Sequence, residues 1–138
     1  MSEALATFVR WVAEVETHAD LVEDAKARTW EFSCEHAVFR LKDGRWLMVK
    51  GATWRIELER GMENDPFGRT AGMLYVDAGP DEPMQPVASI EFHTHPEPTG
   101  PSDDDMRLLE MLQQPESVIY EIFGRSEGTK FRPKNAKG

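Results

Sequence analysis

The stretch from Val87 to Asp105 limits the fold more than any other part of the chain. It reads Val-Ala-Ser-Ile-Glu-Phe-His93-Thr-His95-Pro96-Glu-Pro-Thr-Gly-Pro101-Ser102-Asp-Asp-Asp105. Val87 to Phe92 is a short, mostly apolar run, the pattern of a buried strand. His93 and His95 extend it at a spacing of two. Strand side chains alternate between faces, so both imidazoles point the same way. Pro96 has no N–H to give to a ladder and ends the strand. A loop rich in Pro and Gly follows, and Ser102 opens a helix. A strand, a short loop and a helix N-terminus are thus fixed in order.

Neutral imidazole is a good zinc ligand, and two on one face supply half of a tetrahedral site. Asp105 is the natural third ligand, with Asp103 and Asp104 as substitutes if the register shifts. Three protein ligands leave a fourth position open for water, as a catalytic site requires. Structural readings stand beside this one. Paired histidines can be core residues bonded locally. Ser102 and Asp105 also form a capping-box pair, and acids favour the positive end of a helix dipole. Both roles are compatible, because a helix N-terminus is a rigid place from which to project a carboxylate.

The pattern H-x-H-P followed by S-x-x-D resembles the motif of the JAMM (MPN+, Mov34/PAD-1) zinc metalloproteases in their prokaryotic JAB form. His93, His95, Ser102 and Asp105 match it residue by residue. The intervening loop holds six residues, Pro96 to Pro101, one fewer than the family's usual spacing. The resemblance implies that His93, His95 and Asp105 hold Zn2+. It implies that Ser102 donates a hydrogen bond to the oxyanion and that an upstream Glu handles the proton of the attacking water. Glu35, followed by His36, Ala37, Val38 and Phe39, fits that Glu best. Glu31, followed by Phe32, Ser33 and Cys34, is the rival; on a continuous strand the two share a face. The family's Gly-rich patch after this Glu is missing here. The implied fold is α/β, JAMM/MPN-like (cytidine-deaminase-like): a mixed sheet flanked by an N-terminal helix and a second helix after the metal motif. The implied substrate is a protein, cleaved at a peptide or isopeptide bond near the tail of a ubiquitin-like or carrier protein. Two alternatives stay open: a non-catalytic JAB/MPN-like protein-binding module, and a zinc hydrolase acting on a small amide.

With 138 residues, 40% of them hydrophobic, the chain has the size and the apolar content of one domain. That domain is expected over residues 1–132, with a basic, small-residue tail from 133 to 138 that frays. A net charge of −9 disfavours nucleic acid and anionic membrane as partners, since both need a basic patch. One cysteine excludes an intrachain disulfide and fits a reducing cytoplasm. No apolar run approaches the roughly 18 residues of a membrane-crossing helix, and no signal peptide is expected.

Residues 2–27 read as a helix, with Leu5, Phe8, Val9, Val12, Val15 and Leu21 near a helical period. Residues 29–41 read as extended. Asp43-Gly44 marks a hairpin into a strand at 45–50. A strand at 52–59, a loop at 61–72, a short strand at 73–76 and a loop at 77–86 follow. The second helix is expected over 102–114, stopped by Pro115, then a core strand over 117–123 and a last extended piece at 129–132. Glu91 reads as a solvated or paired carboxylate, with orientation of His93 as its alternative. Cys34 and His36 read as framework residues.

Overall fold

The computed structural model describes residues 7–51, 74–97, 100–122 and 128–133, apart from the side chains of residues 103, 104 and 107. Among them are seven strands and two helices: β1 Thr7–Trp11, α1 His18–Phe32, β2 His36–Leu41, β3 Trp46–Lys50, β4 Tyr75–Val76, β5 Gln85–His95, α2 Asp103–Leu112, β6 Ser117–Glu121 and β7 Gly128–Phe131. The strands form one sheet in the order β1-β3-β2-β5-β6-β7, with β4 beside the start of β5. Only β5 and β6 run parallel; the other pairs are antiparallel. A parallel pair needs a crossover, and α2 supplies it. The result is the expected mixed α/β fold with a mostly sheet core.

The β2–β3 hairpin forms as its sequence predicts. Gly44 takes φ +95°, which costs a glycine little, and Asp43 Oδ1 accepts from the Arg45 N–H at 3.0 Å. The N-terminal expectation is corrected. Residues 7–11 are a strand, not part of a helix, and the helix starts at His18, after six intervening residues. Thr7-Phe8-Val9-Arg10-Trp11 pairs along β3 with a bulge between Phe8 and Arg10, which puts Phe8 and Trp11 against one core and Val9 against the other. Thr17 then caps α1 in a complete capping box with Asp20. Arg10 fastens the corner by bonding both Glu16 oxygens, at 2.7 and 2.6 Å, and Asp24 at 2.9 Å. The apolar positions from Leu5 to Leu21 thus straddle a strand, a loop and a helix, and their helical spacing is coincidental.

The extended reading of residues 29–35 is corrected too. Leu21, Val22, Ala25 and Thr29 form the buried stripe of α1, so helix continues through Phe32. It ends where Ser33 adopts the left-handed conformation at φ 53°, a common helix stop. The expected strand at 52–59, the loop at 61–72, residues 2–6 of the expected first helix and the tail beyond Pro133 fall outside the described residues.

The two helices lie on opposite faces of the sheet. Leu21, Val22 and Ala25 of α1 pack on Val38, Met48 and Phe92. Leu108 and Leu109 of α2 join Phe39, Leu47, Ile90 and Ile119 on the other side. Each fully buried side chain of this kind contributes about 1.5–3 kcal/mol.

The central strand β5 changes face midway. Phe39 pairs with Ile90 and Val38 with Phe92, so Glu91 has no opposite residue. This bulge puts Ile90 in the α2-side core and Phe92 in the α1-side core, although they are two apart. His93 and His95 consequently point to the α2 side. Glu91, the extra residue, accepts a hydrogen bond from the Ser89 hydroxyl at 2.6 Å, which fits its reading as a paired carboxylate.

Candidate metal centre

Four side chains from three places in the chain converge beyond the end of β5. His93 and His95 come from the strand, Asp105 from the first turn of α2 and Glu35 from the short link between α1 and β2. His93, His95 and Asp105 are 0%, 5% and 1% exposed. The Nε2 atoms of the two histidines stand 3.1 Å apart. His93 Nε2 is 3.3 Å from Asp105 Oδ1, and His95 Nε2 is 3.1 Å from Asp105 Oδ2. Glu35 Oε1 is 3.2 Å from His95 Nε2, yet it is buried without an aligned hydrogen bond. One donor atom from each of the four residues lies within 4.8 Å of the rest.

These separations have a direct reading. Zinc bonds to imidazole nitrogen and carboxylate oxygen are roughly 2.0–2.2 Å, so neighbouring ligand atoms around a tetrahedral ion are about 3.3–3.6 Å apart. The histidine–histidine and histidine–carboxylate spacings come within a few tenths of an ångström of that edge length. Glu35 Oε1 is paired with His95 as an ion pair but without an aligned hydrogen bond, and a buried carboxylate oxygen so placed is costly. The residues fit a divalent ion.

Local structure places each ligand. Ser102 is the N-cap of α2, and the capping box with Asp105 is fully formed. Its Oγ accepts from the Asp105 N–H at 3.1 Å, and Asp105 Oδ2 accepts from the Ser102 N–H at 2.9 Å. The capping carboxylate is therefore held from its backbone side and presented to the histidines. The short loop closes with the help of Glu121, a buried carboxylate in β6 beside His95. Glu121 Oε2 accepts from the Gly100 N–H at 2.8 Å, where Gly100 has φ +69°. Six residues thus suffice to bring Asp105 to the histidines.

The charges balance within the cluster. Burial works against a charge on His95, but bonding to Asp105 and Glu35 outweighs it and raises the pKa to about 9. Burial likewise works against the Asp105 carboxylate, and the two histidines with the Ser102 N–H hold its pKa well below the usual carboxylate range. The metal-free cluster therefore keeps a proton that a cation would replace.

The sequence-predicted residues sort clearly by position. His93, His95, Asp105 and Glu35 are brought together. Ser102 sits one hydrogen bond from Asp105, with its hydroxyl oxygen accepting and its own O–H available to donate. Glu31 is not at the site: it is an exposed residue of α1, and the left-handed turn at Ser33 ends the helix between the two glutamates, so the face a continuous strand would have shared is lost. Cys34 is half-buried, and burial raises its thiol pKa, the opposite of an activated nucleophile. Glu121 was missed by the sequence reading. Its signal was a carboxylate continuing the buried alternation of Ser117 and Ile119.

Comparison with protein-family models, curated proteins and solved structures finds no match for this chain. Among the described residues no helix is long and apolar enough to cross a membrane.

Proposed function

We propose that the chain is a zinc metallopeptidase of JAMM/JAB type. The observation that carries this reading is the convergence of His93, His95 and Asp105 at close to the spacings of a tetrahedral ion's ligands, with Glu35 beside His95. Two nitrogens and carboxylate oxygens are a donor set that suits zinc. His93, His95 and Asp105 hold the ion, which when bound acidifies water and polarises a carbonyl.

The chain's own residues supply the rest. Glu35 Oε1 is placed beside the ligands to take a proton from the attacking water and return it to the leaving amine. Ser102, exposed at the helix start, donates its O–H to the developing oxyanion. Asp105 fixes both histidines through its two oxygens. The motif's resemblance to the JAMM family assigns the scissile bond to a peptide or isopeptide at the extended tail of a ubiquitin-like or carrier protein.

Glu35→Gln and Glu31→Gln, each assayed for zinc content and for cleavage of a tail-linked protein and a small amide, test the proposal. The reading expects Glu35→Gln to keep zinc and lose turnover, and Glu31→Gln to keep both. Loss of zinc in Glu35→Gln would make Glu35 a fourth ligand and the site closed, the arrangement of a binding module. Cleavage of the small amide alone would leave a zinc hydrolase of another substrate class.

A further inference from the structure

Thr94 lies between the two histidine ligands and points the other way. It is fully buried, and so are Thr29 of α1 and His36 of β2 on the same face. The three form one network behind the metal centre. Thr94 Oγ1 accepts from the His36 N–H at 2.9 Å. It also bonds the Thr29 hydroxyl, which donates to the Ala25 carbonyl at 2.8 Å. His36 Nδ1 lies 3.0 Å from the Cys34 carbonyl and 3.2 Å from Thr29 Oγ1. Its Nε2 is buried with no hydrogen-bond partner. Burial keeps this imidazole neutral by lowering its pKa.

These bonds are arranged around Glu35. Its own carbonyl accepts from the Gly51 N–H at 3.0 Å, and the next peptide N–H, that of His36, ends on Thr94. The link carrying Glu35 has left α1 at Ser33 and is not yet paired in β2. Thr94 is the only side chain among the described residues that bonds this link to the ligand strand from behind. A valine of the same shape would leave the buried His36 N–H unpaired, at a cost of about 1–3 kcal/mol.

We propose that Thr94, backed by Thr29, is a positioning residue that sets Glu35 in place relative to His93 and His95. The role rests on the metal-centre reading and concerns residues on the opposite face of the sheet. Outer partners at metal sites act in this way, and losing one typically lowers metal affinity or activity roughly 10–100-fold.

The test uses the full-length protein loaded with cobalt(II), whose visible absorption reports ligand geometry, together with zinc affinity from chelator competition and turnover in the cleavage assays above. Thr94→Val is expected to keep zinc, to shift the cobalt bands as Glu35→Gln does and to lower turnover roughly 10–100-fold, while Thr94→Ser stays near wild type in all three. Thr29→Val is expected to shift the bands in the same direction, and it carries the test if Thr94→Val does not fold. Lower melting temperatures with unchanged bands and unchanged turnover would overturn the role and leave these threonines as packing. Wild-type protein that takes up no cobalt would instead overturn the metal centre itself, and this role with it.

Discussion

If the cluster holds a metal as proposed, the charge state of His95 should make its affinity a steep function of pH. In the metal-free protein burial opposes the imidazolium, but Asp105 and Glu35 hold it, with a pKa near 9. A metal must displace that proton to reach Nε2. At every pH below about 9 the proton competes, and each unit of acidification costs about tenfold in apparent affinity from this group alone. Between pH 8 and pH 6 the apparent zinc affinity should therefore fall by about 100-fold or more. Stability has the matching sign. A raised histidine pKa stabilises the metal-free fold fully below the unfolded value near 6.5 and loses that stabilisation as pH rises through about 9. The gain in melting temperature on adding zinc should consequently widen with pH. Chelator-competition titrations at pH 6, 7 and 8 measure the slope, and proton release can be read in weakly buffered solution. Affinity that stays flat across this range would refute the argument, because His95 would then not be held charged by its carboxylate neighbours.

Other perturbations test separate parts of the account. Zinc at 100 times its dissociation constant stabilises by about 2.7 kcal/mol, which for a chain of 138 residues raises Tm by about 9 °C; Asp105→Ala should abolish that rise in a thermal melt. Thr17→Ala removes the α1 cap and should cost about 1 kcal/mol, or about 3 °C, by the same assay. Bonding to Arg10 lowers the Glu16 pKa to about 2. Its stabilisation should be present above about pH 4.5 and be lost as pH falls toward 2, so Glu16→Gln should flatten the acid side of the stability profile.

The legible parts of the molecule were those set by local geometry. His93 and His95 share a face because a strand alternates, and Ser102 with Asp105 declares a helix start whatever else the chain does. The β2–β3 hairpin was legible from Asp43-Gly44 for the same reason. The errors lie where pairing between distant segments decides. β1 exists because Thr7–Trp11 finds the edge of β3, which no local period reveals, although Thr17-x-x-Asp20 did mark the true start of α1. Trp30 and Phe32 gave residues 29–35 a β-like composition, but the stripe ending at Thr29 kept residues 29–32 helical. That misreading let Glu31 compete with Glu35. Glu91 was placed by an ideal alternation that the bulge opposite Val38 and Phe39 breaks. Thr94, read as the spacer in H-x-H, proved to be a link to α1 and β2, visible only once those elements were in place.

The central claim is that His93, His95 and Asp105, beside Glu35, form a metal centre. Elemental analysis of the purified full-length protein, native and His95→Ala, tests it most directly. The account predicts about one zinc per chain in the native protein and its loss in the variant. Native protein that holds no zinc after reconstitution at neutral pH would contradict it.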